Sequence, residues 1–213
     1  MRSLLLSLLT LSMLIFSCSP KKQTLKVKLT PLDFKSTVVT LRFPTRNVEE
    51  GTYSEIIAIA WTNKGFKDVY RTLFDIDLTS IPENAIITNA KIKLYHSPTS
   101  SNPGHSQLSG SNAAEIRRIT SPWDVKTVSW KTLPYTSDEN IVNIPASRSD
   151  NENYEIDMKA IIQDYVSNPK QSYGFLFKLK NEDYYRSLVF ASCRNENPAL
   201  YPELTVEYKV PRD

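Results

Sequence analysis

The chain of 213 residues has only two cysteines, Cys18 and Cys193, and only two histidines, His96 and His105. That scarcity argues against a disulfide scaffold and against a Cys/His zinc cluster, since neither histidine stands near a cysteine or in an HExxH-type spacing. There is no GxSxG elbow, no Walker loop and no GxGxxG turn. The sequence therefore offers no ready-made seat for an acyl-transfer nucleophile, a nucleotide phosphate or a dinucleotide. Charge of one sign is also lacking: 26 Lys+Arg stand against 23 Asp+Glu, a formal balance of +3 with both signs interspersed. Nucleic-acid binders concentrate a basic face, so a nucleic-acid partner is not expected. No repeat at a solenoid period is present. From these absences we expect no catalytic constellation, no metal site and no cofactor.

What is there begins with a targeting segment. Arg2 supplies a positive start and Leu4 to Phe16 an apolar run too short for a comfortable membrane span. It ends in Ile15-Phe16-Ser17-Cys18, which resembles the bacterial lipobox. That resemblance implies a signal peptide over residues 1–17 and an acylated Cys18 as the mature N-terminus. Removing residues 1–17 takes away one charge, Arg2, and leaves +2. Residues 18–35 read as a lipid-anchored tether ending in a first edge strand. Ser19-Pro20-Lys21-Lys22 lacks both an Asp at the second position and an acidic export stretch. An outer-membrane lipoprotein is expected, on either face of that membrane, with the lipid anchor as its membrane contact. Cys193 reads as a small strand residue.

The remainder, 36–210, reads as one domain organised around Val69 to Tyr95. Thr72, Phe74 and Ile76 alternate with Arg71, Leu73, Asp75 and Asp77, the period of a strand. Pro82 breaks the run, and Ala90, Ile92 and Leu94 alternate with Lys91, Lys93 and Tyr95 as a second strand. Further short strands are predicted over 37–43, 55–62, 115–120, 141–144, 154–156, 173–180, 187–192 and 203–209. Residues 97–112, rich in Ser, Asn, Pro and Gly, read as an exposed loop, with both histidines in solvent. One helix is predicted, capped by Asp157, with Met158, Ile161, Ile162, Tyr165 and Val166 as its apolar stripe and Asn168-Pro169 as its stop. Many short strands and one helix predict an all-β, antiparallel β-sandwich.

An ordered set of short motifs resembles one family, the DNRLRE-type domain that includes carbohydrate-binding module family 96. The set comprises Arg71-Thr72-Leu73, Asp77-Leu78, Ile81-Pro82, Ala85, Ile87, Ala90, Ile92 and Leu94. It continues through Arg118-Ile119-Thr120, Trp123, Val128-Ser129-Trp130 and Pro134. It closes with Ile156-Asp157, Ile161, Tyr165, Tyr173-Gly174-Phe175, Phe190, Ser192, Pro202, Leu204, Val206 and Tyr208. The chain departs from the pattern at Asp75 and Ile76, where Arg and Phe are usual, and at Ser129, Tyr165 and Ser172. The resemblance implies a sandwich of jelly-roll type on an extracellular, polysaccharide-related protein.

The candidate ligand residues are aromatic and basic, because a sugar ring stacks its apolar face on Trp or Tyr while cations and amides take its polar groups. They are Trp61 and Lys64, beside the turn Asn63-Lys64-Gly65-Phe66, and Tyr184, Tyr185 and Arg186, after the turn Asn181-Glu182-Asp183. Trp123 and Trp130 bracket one loop and suit either a core clasp or a platform. Asp77 and Asp157 read as structural carboxylates. Arg71 opens the organising strand. It either contacts ligand or is paired, since an unpaired buried cation is too costly. Parity puts it with Asp75 and Asp77, and a carboxylate there or on a neighbouring strand would accept its planar fork. The expected function is non-catalytic polysaccharide binding in the cell envelope. The alternative is a structural or protein-interaction module, and the remoter one a lyase or hydrolase using Tyr184 or Tyr185 with Arg186.

Overall fold

The computed structural model describes residues 22–28, 30, 34–45, 53–102 and 104–211. The signal segment, Cys18 and the start of the tether lie outside them. In chain order the strands are β1 Lys22–Lys28, β2 Phe34–Thr40, β3 Glu55–Asn63, β4 Phe66–Ile76, β5 Ile86–Leu94, β6 Ser106–Gln107, β7 Ala114–Arg118, β8 Val142–Ile144 and β9 Tyr154–Asp157. Helix α1, Lys159–Ser167, leads to β10 Phe175–Leu179, β11 Arg186–Ala191 and β12 Glu203–Lys209. The expected all-β sandwich is what forms. The smaller sheet runs β1-β12-β5-β9 and the larger β6-β11-β3-β4-β10-β7-β8, with β2 added to β4. The first edge strand, β1, falls inside the stretch read as tether and pairs with β12.

Strand β4 is the centre of the large sheet. Tyr70 pairs with Thr40 on one side and Ile59 on the other, and Phe74 pairs with Ser36 and Phe175. So β2 follows one edge of β4, while β3 and β10 divide the other. At the handover the Thr72 hydroxyl accepts from Ile57 N at 2.9 Å and donates to Ile57 O at 2.8 Å, filling the gap in the ladder. Val69 lies in the main core, yet Leu73, on the same side by parity, joins a second apolar cluster with Val39, Ile119, Val128 and Leu176. The β2–β4 ribbon therefore rotates its faces along its length, as strand twist dictates, most strongly in two-stranded ribbons.

The core lies between the sheets. Ile92, Leu94, Leu204 and Val206 of the small sheet share one cluster with Phe175, Phe177, Leu188 and Phe190 of the large one. Helix α1 adds Ile161, Ile162 and Val166. Asp157 serves its first turn, accepting Lys159 N at 2.8 Å, although Met158 takes the N-cap position. The departures at 75 and 165 meet in space: the Tyr165 hydroxyl donates to Asp75 Oδ1 at 2.9 Å.

Within residues 97–112 the structure corrects part of the sequence reading: residues 107–111 are exposed as expected, but β6 pairs with β11, Ser97 and Asn112 are buried, and His105 is only 3% exposed. Polar residues are used here to close a sheet edge rather than to meet water. Asn112 donates to Ser187 O and Ser147 Oγ, both at 2.9 Å, and the Ser187 hydroxyl donates to Gly104 O at 2.6 Å. Val189 N donates to His105 Nδ1 at 3.0 Å, so the proton sits on Nε2, which donates to Glu152 O at 2.8 Å.

This neutral imidazole makes stability depend on pH. Burial holds the His105 pKa below the ordinary value, with Glu152 pulling the other way and His96 reinforcing the depression. The unfolded chain then binds the proton more readily. The stabilising contribution is present above about pH 6.5 and is lost as the pH falls below that value toward the folded pKa. Denaturant titrations at pH 7.5 and 5.5 should show a lower midpoint in acid. A His105→Asn variant should be less stable at pH 7.5 and lose most of that difference; an unchanged acid shift would contradict the assignment.

Candidate functional site

The aromatic and basic candidates meet at one end of the large sheet. The β3–β4 hairpin closes through Lys64 and Gly65 at φ 52° and 82°, the two positive values that a two-residue loop needs to follow strand twist. Glycine supplies the second without strain. Lys64 is exposed at the tip, and Phe66 beside it is 58% exposed with the Arg42 guanidinium 4.2 Å from its ring centre. Asp68, cross-strand partner of Trp61, is fully buried and ties this end together. It accepts from the Thr40 hydroxyl, from Arg42 N at 2.9 Å and from Asn63 Nδ2 at 3.4 Å. Burial pushes the Tyr70 hydroxyl pKa up, and its hydrogen bond to Asp68 adds to the rise.

The turn 181–185 lies against this hairpin. Asn181 Oδ1 accepts Asp183 N at 2.9 Å and Tyr185 N donates to Ala60 O at 3.0 Å. Tyr185 holds φ 60°, a left-handed conformation unusual for an aromatic residue. Its ring meets Trp61 edge-on, 5.0 Å between centres, and Tyr184 lies 5.7 Å from Tyr185. Tyr184 is 40% exposed, with the Lys67 ammonium 5.4 Å from its ring centre. Trp61, Tyr184, Tyr185, Lys64 and Lys67 thus form one aromatic, cationic end.

Two sequence candidates have other work. Arg186 is a correction: it is buried, donating to Tyr184 O at 3.1 Å and Ser109 O at 2.5 Å, so it shapes the turn and does not offer its fork outward. Arg71 has its bidentate partner, Glu182, with Nε and Nη2 each 2.7 Å from a carboxylate oxygen. Its guanidinium also stacks 4.3 Å from the ring centre of Trp130. The cost of an unpaired cation called for a partner, but the carboxylate used lies in the connection between β10 and β11 rather than at Asp75 or Asp77, the acids that share the Arg71 face by parity. Trp123 and Trp130 act as the clasp: both pack on the second cluster, and Trp123 Nε1 donates to Tyr173 O at 2.6 Å. Phe66, Lys67, Asp68 and Glu182 were missed. Only Phe66 had a sequence signal, as a large apolar residue directly after a Gly turn.

A cleft of about 710 Å³ lies at the other margin of the large sheet, between β8, β9 and α1. Asn140, Asn143, Asp157, Lys159 and Asp164 line it; its one aromatic, Tyr154, is nearly buried with its hydroxyl on Pro145 O. Burial pushes the Tyr154 pKa up to about 12. Among the described residues no group of three or more His, Cys, Asp or Glu is placed to hold a metal ion.

The family model for carbohydrate-binding module family 96 matches residues 52–208, well over half of the chain. The chain belongs to carbohydrate-binding module family 96. No curated protein matches it. The span contains the hairpin, the turn 181–185 and the cleft; β1 and β2 precede it.

The Arg71–Glu182 pair is only about one-fifth exposed on either side, so its fork matters. Arg71→Lys should cost about 1 kcal/mol or more of unfolding free energy, since a point charge replaces neither the bidentate bond nor the stacked plane. Denaturant unfolding checks this; a midpoint equal to wild type would remove the structural role.

Proposed function

We propose that this member of carbohydrate-binding module family 96 binds polysaccharide, without catalysing its cleavage, through the aromatic end formed by Trp61, Tyr184 and Tyr185 with Lys64 and Lys67. The observation that carries the reading is the build of the turn 181–185. Arg71 grips Glu182, Arg186 holds Tyr184 O and Ala60 O holds Tyr185 N, so two tyrosines and a tryptophan stand ready beside the exposed Lys64 and the half-buried Lys67. A ready-made platform loses little entropy when a sugar stacks on it. The family supplies the ligand class, carbohydrate.

We also propose that Cys18 is lipid-modified and anchors the module in the outer membrane of the cell envelope. The lipobox-like Ile15-Phe16-Ser17-Cys18 supports it. Cys18→Ala should move the protein from the membrane fraction to the soluble one. Continued membrane association would remove the anchor from the account.

Affinity electrophoresis and titration calorimetry against acidic and neutral polysaccharides test the binding role. Tyr184→Ala, at an exposed position, should weaken polymer binding about tenfold, the scale of one lost stacking contact, and leave the melting temperature unchanged. Retention of full affinity in both Tyr184→Ala and Trp61→Ala would place the ligand elsewhere.

A further inference from the structure

We propose that the cleft between β8 and β9 is a second saccharide site, independent of the aromatic end, that takes a short segment of neutral sugar chain. The two sheets end here: β8 closes the large one and β9 the small one. Their edges diverge around about 710 Å³ of space, floored by Ile141, Val142 and Ile156 and walled by α1. That volume is in the range of small-ligand sites, roughly 300–1,000 Å³.

The polar groups along the cleft match sugar hydroxyls, which both donate and accept. Met158 N donates to Ala90 O at 2.9 Å, and this sets the phase of the β5–β9 ladder. Tyr154 and Ile156 then bond to β5, while Glu155 and Asp157 turn their own N–H and C=O to the open edge. Across the cleft Asn140, at φ 51°, donates from Nδ2 to Asp164 Oδ2 at 2.8 Å. That bond fixes both side chains and leaves one oxygen of each to accept from a ligand. Asp157 uses Oδ1 on Lys159 N and keeps Oδ2. Asn143 adds an exposed amide on β8.

Charge selects among sugars. Glu155, Asp157 and Asp164 line the cleft against a single cation, Lys159. Glu155 is ion-paired with Lys91 and Lys93, so the carboxylates with least cationic cover are Asp157 and Asp164. An anionic sugar would face these two, whereas the aromatic end presents Lys64 at its tip, with Lys67 beside Asp183. The two sites thus differ in preferred ligand, and none of Trp61, Trp123 or Trp130 lines the cleft.

Titration calorimetry of the whole mature chain with neutral gluco-, manno- and galacto-oligosaccharides tests this, with tryptophan fluorescence read in parallel. At least one series should give a heat of binding with little fluorescence change. That heat should persist in Trp61→Ala, or in Tyr184→Ala if the former does not fold by circular dichroism. It should vanish in Ala160→Phe, which fills the cleft from α1, and fall about tenfold in Asn143→Ala. The cleft assignment is overturned if Tyr184→Ala abolishes the neutral-sugar heat, if Ala160→Phe and Asn143→Ala bind like wild type, or if no neutral series gives heat at millimolar concentration. In that last case polymer retention that depends on Tyr184 would still support the aromatic end, so the two readings fail separately.

Discussion

Strand β4 has no free side, and that constraint shapes the rest of the molecule. Both of its edges are paired and both of its faces are buried for much of its length. Every backbone group in it must therefore find a partner inside the protein, because each one left unpaired costs about 1–3 kcal/mol. The difficult place is where β3 leaves its edge and β10 arrives. Thr72 solves it with one hydroxyl that both accepts from and donates to Ile57. Valine would fill the same volume but could make neither bond. Because β2 follows β4 through this joint, the ribbon coils, and an outer cluster arises at each end of it. The aromatic end sits over one of these clusters and the Trp123–Trp130 clasp over the other.

The electrostatics of the turn 181–185 have a clear order. The Lys67–Asp183 contact, 3.9 Å with Asp183 well exposed, contributes little because water and salt screen it. The Arg71–Glu182 fork is bidentate, sheltered and stacked over Trp130, so it resists screening and adds a cation–π contact. Tyr185 keeps a backbone conformation that costs of order 1–3 kcal/mol, held by its neighbours. The indole of Trp130 is thus the floor on which the turn rests: it packs on the main core and on the second cluster while carrying Arg71. A residue of the clasp in this way sets the geometry of the aromatic end.

Much of this was legible in the sequence, and the limits have physical causes. Periodicity located β4, β5 and α1 because each buries a patterned face, and the positions of Trp61, Tyr184 and Tyr185 beside turns marked the aromatic end. Composition misled at the buried positions within residues 97–112: serine and asparagine can satisfy a sheet edge as well as face water, and only the fold decides between them. His105 was misread for that reason. The cost of an unpaired cation required a partner for Arg71, but parity pointed to Asp75 and Asp77 and could not name Glu182, which is 111 positions away and reaches it through tertiary packing. Arg186 looked available because a local motif cannot show that Ser109 and Tyr184 carbonyls would claim its guanidinium. The cleft had no linear signature at all, since its two margins belong to different sheets.

The same accounting of polar groups separates the side chains that hold the fold from those it leaves uncommitted. Asp68, Asn112, His105, Arg186 and Gln163 are used as internal staples, each closing a loop or strand end on backbone or side-chain partners. Glu115 is likewise committed: burial would raise its pKa, but Arg117 and Lys178 more than offset that. Groups so engaged cannot serve a ligand without loosening the fold. Two sets of side chains keep polar or aromatic surface free of such duties: those at the hairpin tip with its neighbouring turn, which are aromatic and cationic, and those at the β8–β9 margin, which are amide and carboxylate. A β-sandwich that seals its core and most of its edges in this way keeps its uncommitted side chains at the places where strand pairing stops.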